Sequence, residues 1–150
     1  MAKQFNTKFI KSFIVPLIFP LLIWAVFLSS LLLELDLRRM GILPRDLYGI
    51  FGIVTAPFIH ANFSHLISNT VPLIILGWSI FFFYEKVSSR VFLVVYLLTG
   101  FLVWLLAREV YHIGASGLVY AFVSFLFFSG IFRKDNKSIA IALLVTFLYG

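Results

Sequence analysis

The chain has 150 residues, of which 62% are hydrophobic and only 12% charged, about half the charge of an ordinary soluble domain, so lipid must replace water over most of its surface. The formal charge of +6 comes from basic residues set singly between apolar runs; the contiguous patch that nucleic-acid binding requires is missing, and the positive-inside rule accounts for the excess. With no cysteine, disulfides and thiolate metal sites are ruled out.

In chain order, Lys3, Lys8 and Lys11 precede an apolar run over about 13–33. It is long enough to cross a bilayer, too long for a signal-peptide core, and lacks a small-residue cleavage site after it. Pro16 and Pro20 fall in its first turns, where a missing N–H costs least. From Glu34 to Pro57, charges together with Gly41, Pro44, Gly49 and Gly52 predict a long connecting loop lying partly in the membrane interface. Further spans are predicted over about 63–84, 91–107 and 115–132, divided by Glu85, Lys86 and Arg90, by a short turn from Arg108 to Gly114, and by Arg133, Lys134, Asp135 and Lys137. A last run covers 138–150, short of the ~20 residues a span needs. The expectation is an all-α, polytopic membrane bundle of about five spans, forming a single domain over 1–150 that is truncated within its fifth span.

Charge then predicts sidedness. Lys3, Lys8, Lys11, Lys86, Arg90, Arg133, Lys134 and Lys137 fall at one end of the alternating spans, and Arg38, Arg39, Arg45 and Arg108 at the other. The first end is expected to be cytoplasmic. The second and fourth spans then both enter from the outer surface, carrying two polar strings. One is His60-Ala-Asn62-Phe-Ser64-His65-Leu-Ile-Ser68-Asn69, in which His65 and Asn69 are four apart and share a helix face. The other is Gly114-Ala115-Ser116-Gly117, opening the fourth span. At ~1.5 Å of rise per residue, both strings lie at a similar depth.

Polar side chains inside spans are costly and mostly face the bundle or a wet cavity. Serine can act as a nucleophile, and histidine, asparagine and the free N–H groups of a helix N-terminus can donate to an oxyanion. Gly114 and Gly117 would let a substrate backbone approach closely. Bland readings stand beside these. Ser116, Gly117 and Ala121 also make a small-residue packing face, His60 and His65 also suit an interfacial or structural role, and Asn69 also suits an interhelical hydrogen bond. His60, His65 and His112 have no acidic residue at ligand spacing, so no metal site is expected.

Together, the string from His60 to Asn69, the span closing on Tyr84-Glu85, and Gly114-Ala115-Ser116-Gly117-Leu-Val-Tyr120-Ala121-Phe resemble the second and fourth spans of the rhomboid family of intramembrane serine proteases, over about residues 44–150. The resemblance implies Ser116 as nucleophile, with His65, Asn69 and the Ser116 N–H lining the oxyanion site. It also implies supporting roles for His60, Gly114, Gly117 and Tyr120, the last as an aromatic that packs against the catalytic histidine, and a structural role for Glu85. The family's Trp-Arg pair in the first outer loop is absent; Tyr48-Gly-Ile-Phe51-Gly52 stands there. The family's catalytic histidine belongs to a sixth span, so the base is expected beyond residue 150, with His112 the internal alternative and the 150 residues alone inactive. What the resemblance implies is peptide-bond hydrolysis in transmembrane protein substrates by a serine–histidine dyad, without metal or organic cofactor, in a prokaryotic inner membrane with the N-terminus cytoplasmic. The alternative is an inactive rhomboid-like protein that binds transmembrane helices.

Overall fold

The computed structural model describes residues 2–149, with side chains from residue 7 onward. It is helical, and no strand occurs among the described residues. Four helical stretches are long and apolar enough to cross a membrane: Thr7–Leu32, Phe63–Phe83, Ser88–Leu106 and Ser116–Arg133. The first takes in the end of α1 (Ala2–Lys11) and all of α2 (Ile14–Leu32), broken at Ser12 and Phe13. Pro16 explains the break: it has no N–H to offer the Ser12 carbonyl one turn earlier, and its ring crowds that carbonyl.

A short helix, α3 (Gly52–Thr55), and single 3-10 turns at Arg38–Met40, Tyr48–Phe51 and Ala56–Phe58 occupy the segment expected as loop. Then come α4 (Phe63–Phe83), α5 (Ser88–Leu106), α6 (Ser116–Arg133) and α7 (Asn136–Tyr149). At 14 residues, α7 is shorter than a full span. A tight turn joins α6 to α7. Lys134 adopts a left-handed conformation (φ 55°), the Asp135 N–H returns to the Gly130 carbonyl at 2.8 Å, and the Asp135 carboxylate accepts from the Lys137 N–H and the Ser138 hydroxyl at 3.2 and 2.7 Å. One residue thus closes one helix and caps the next.

Among lipid tails apolar burial drives little association, so packing and interhelical hydrogen bonds hold such bundles together. Phe19, Ile23 and Phe27 of α2 meet Leu66, Leu73, Leu76 and Ile80 of α4, and Leu118, Phe122 and Leu126 of α6 close the core with Ala142 and Val145 of α7. Gly77 lets α4 approach α2, since a Cβ there would lie 3.2 Å from the Pro16 side chain. The Trp24 indole donates to the Thr70 hydroxyl at 3.0 Å, and the Tyr84 hydroxyl donates to Ser138 at 3.1 Å. Helix α5 is peripheral; only Ser88 and Gly100 of it are buried.

The two ends of the bundle are built differently. At one, Lys8 pairs with Glu85 at 3.4 Å, and α1, the α4–α5 turn and the α6–α7 turn come together. At the other, the irregular segment after α2 satisfies its own backbone. Ile42 and His112 exchange two N–H···O bonds of 2.9 Å. The Arg45 guanidinium donates to the carbonyls of Leu105 and Ala107 and to Glu109 at 3.3, 3.0 and 3.1 Å, placing a cation on the carbonyl end of α5. The Asp46 carboxylate accepts from the N–H groups of Tyr48 and Gly49, and the Trp104 indole donates to the Asp46 carbonyl at 2.9 Å. Gly52 lies so close to the backbone of Gly41 and Ile42 that a Cβ would sit 2.4 Å from it. Gly52→Ala is therefore expected to lower unfolding stability in detergent by about 1–3 kcal/mol, because backbone, unlike a side-chain tip, cannot step aside. An unchanged melting temperature would show that the segment is not packed in this way.

Candidate active site

Ser116 is the first residue of α6; Ala115 precedes it and offers no side-chain cap. The first N–H groups of a helix have no partner inside it, so the N-terminus of α6 presents donors and a partial positive charge beside the serine. The Ser116 Oγ forms no hydrogen bond among the described residues. It opens on a cavity of about 220 Å³ whose walls also include Gly117 and Tyr120 of α6, His112 and Gly114 before it, and Ala56 and Pro57 of the outer segment.

The facing wall of the cavity comes from Tyr96, Thr99, Gly100 and Val103 of α5. These residues were absent from the sequence-based set. Their spacing of three, four and seven is that of one helix face, and Tyr96, Thr99 and Gly100, small or polar on one face of an otherwise apolar stretch, were the available signal. Gly100 brings α5 against Ile53, whose backbone would lie 3.2 Å from an added Cβ, and Gly117 faces the Thr99 methyl.

Helix α4 supplies the second group. The Asn62 side chain accepts from the His65 N–H at 2.9 Å and so caps the helix. One turn on, the Asn69 amide donates to the His65 carbonyl at 2.7 Å, and Asn69 is 97% covered by protein (3% exposed). The His65 ring lies against Gly114, where a Cβ would come within 2.5 Å of Cε1 and 2.6 Å of Nε2. Gly114 has φ of +99°, a conformation open to glycine, and its N–H donates to the Ala56 carbonyl at 2.9 Å. Through Gly114, the two polar strings meet two residues from Ser116. His60, His65 and Asn69 do not line the Ser116 cavity.

His112 does line it, and its Nε2 lies 3.0 Å from the Arg108 carbonyl. Tyr120 also borders the cavity and is 57% exposed. No cluster of three metal-ligating side chains occurs among the described residues.

His60 stands just ahead of α4, buried, with its ring centroid 4.8 Å from that of His65. Neither ring nitrogen has a sound hydrogen bond among the described residues. Burial, and secondarily the His65 ring, push His60 down to about 4, with the Phe58 backbone pulling weakly the other way. The unfolded chain, with an ordinary histidine near 6.5, therefore binds more protons between pH 6.5 and 4. Stability attributable to a neutral His60 is complete above pH 6.5 and declines as pH falls toward 4. Thermal unfolding in detergent should lose stability more steeply across this window for the native chain than for His60→Asn; parallel curves would contradict the burial of a neutral ring.

The family description "Rhomboid domain" matches residues 47–150, which contain every residue of this constellation. Proteins of Mycobacterium tuberculosis (strain H37Rv) and Mycobacterium bovis, both described as uncharacterised, are each 34% identical over 134 residues, covering 83% of this chain and 56% of theirs. An uncharacterised Mycobacterium leprae protein is 33% identical over 123 residues, covering 78% of this chain and 48% of its own. The chain thus spans about half the length of the curated relatives it matches. No solved structure matches it. A family match that runs from the outer segment through α7, on an all-helical bundle with four membrane-length helices, settles the ancestry: the chain belongs to the rhomboid family.

Proposed function

We propose that this chain is part of an intramembrane serine endopeptidase in which Ser116 is the nucleophile. The observation that carries the reading is the unbonded Ser116 Oγ at the N-terminus of α6, open to a cavity and two residues from the His65–Gly114 contact. No histidine ring nitrogen is bonded to that Oγ among the described residues, and in this reading, as the family resemblance implies, the base is a histidine outside these 150 residues.

In this reading the histidine takes the Ser116 proton as Oγ attacks the scissile carbonyl. The Ser116 N–H holds the oxyanion, a donor of this kind contributing ~3 kcal/mol; the family resemblance assigns His65 and Asn69 to the same task, although neither lines the Ser116 cavity in this structure. The histidine returns the proton to the leaving amine, and water then hydrolyses the acyl-enzyme. The substrate is a transmembrane segment that unwinds locally, because a helix hides its carbonyls in its own hydrogen bonds. His60 supports His65, Gly114 and Gly117 admit the substrate backbone, and Tyr120 is left uncovered for the segment that carries the base. No metal or organic cofactor takes part. The surplus of basic residues at the Lys8–Glu85 end sets that end in the cytoplasm, and the mycobacterial relatives support a prokaryotic cell membrane.

The same lack of a base on Ser116 favours, as second reading, an inactive rhomboid-like protein that binds transmembrane helices. The full-length protein, incubated in detergent with a fluorogenic transmembrane peptide, separates the two. Cleavage is expected, lost on Ser116→Ala by at least about a thousandfold and changed by less than about threefold on His112→Ala. A folded protein that cleaves no substrate points to the inactive reading, and a His112→Ala loss equal to that of Ser116→Ala assigns the base to His112.

A further inference from the structure

The charge of this protein is concentrated at one end. Lys3, Lys8, Lys11, Lys86, Arg90, Arg133, Lys134 and Lys137 belong there with only Glu85 and Asp135, while the opposite end sets Arg38, Arg39, Arg45 and Arg108 against Glu34, Asp36, Asp46 and Glu109. The formal +6 of the whole chain therefore resides at the first end. Three contacts show that its parts converge in space: Lys8 with Glu85 at 3.4 Å, the Arg133 guanidinium 4.8 Å from the centre of the Tyr84 ring, and the Tyr84 hydroxyl on Ser138 at 3.1 Å.

Both acids at this end are engaged within the protein. Glu85 pairs with Lys8, and the Asp135 carboxylate caps α7 through Lys137 N–H and Ser138. Lys11, Lys86, Arg90, Lys134 and Lys137 are exposed and form no ion pair among the described residues. Helix stability accounts for Lys11 and Lys134, which stand at the C-terminal ends of α1 and α6 where the dipole favours cations, but not for Arg90 and Lys137. Arg90 and Lys137 lie in the first turns of α5 and α7, which carry no acid, and the helix dipole disfavours cations there. The positive-inside rule accounts for the excess of cations at this end; the contacts above add that the loops carrying them meet there.

We propose that this end of the bundle binds anionic phospholipid headgroups, with the exposed cations Lys11, Lys86, Arg90, Lys134 and Lys137 contacting the phosphates. A cluster of four to eight cations beside the ends of spans is the charge arrangement that anionic lipid surfaces recruit. The exposed apolar flanks of α5 and α6, among them Leu93 and Phe132, lie beside it for the acyl chains. This inference does not depend on the catalytic reading.

Native mass spectrometry of the full-length protein, titrated in detergent with phosphatidylglycerol or phosphatidylcholine, tests it without any assay of activity. Phosphatidylglycerol is expected to bind at least fivefold more tightly. The preference should fall below twofold in Lys11→Gln/Lys86→Gln/Arg90→Gln, and persist in Arg39→Gln/Arg108→Gln at the opposite end. In the unaltered protein it should shrink as ammonium acetate rises from 0.05 to 0.5 M, as screening requires; this arm stands if the triple variant fails to fold. Equal affinity for the two lipids, a preference unmoved by salt, or one lost equally from variants at either end would overturn the proposal.

Discussion

The architecture of the site depends on one close approach, that of the His65 ring to the backbone of Gly114. It works because Gly114 has no side chain to fill the space and can hold a φ of +99°. The glycine turns the chain into α6 and ties it to the outer segment through the Ala56 carbonyl. In consequence the N-termini of α4 and α6, which arrive from separate parts of the sequence, meet at one depth. The capped start of α4 orients His65 and Asn69, and the uncapped start of α6 leaves donors free at Ser116. A helix start without a side-chain cap leaves N–H groups unmet, and here that start stands beside a serine that lines a cavity.

The outer segment makes this arrangement possible. Irregular backbone at membrane depth survives only where its polar groups are satisfied by protein or water, and here they are. Arg45 serves the carbonyl end of α5, Asp46 serves the turn at Tyr48–Gly49, and Ile42 pairs with His112. Of these, Ile42 ties the segment to the turn before α6, and Arg45 ties it to α5, which builds the far wall of the Ser116 cavity. The Tyr48–Gly52 stretch, where the family's Trp-Arg pair is missing, packs by backbone contact at Gly49 and Gly52 and leaves Tyr48 and Phe51 exposed at the surface.

The membrane helices were largely legible in the sequence because hydropathy over ~20 residues is a strong and local signal. The second span, expected over about 63–84, is α4 at Phe63–Phe83; the third opens three residues earlier than expected, at Ser88, since two serines and an arginine can extend a helix beyond its apolar run. Helix α1 escaped because its composition is polar, and the short turns between residues 38 and 58 escaped because they form against distant elements: α2, α5 and the turn before α6. His65, Asn69 and Ser116 were legible as polar residues where polarity is costly. The α5 wall was less so: Tyr96, Thr99 and Gly100 look unremarkable singly, and which helix face meets α6 is decided by packing. His60 was recognised as a motif residue, while its burial without a hydrogen-bond partner came from the tertiary fold alone.

The central claim is that Ser116 is an activated nucleophile, and covalent trapping tests it most directly. The full-length folded protein would be treated with a fluorophosphonate, digested, and mapped by mass spectrometry. The account predicts a single phosphonylated site at Ser116, absent after Ser116→Ala. A folded protein that remains unlabelled, or one labelled at another serine while Ser116 stays free, would contradict it.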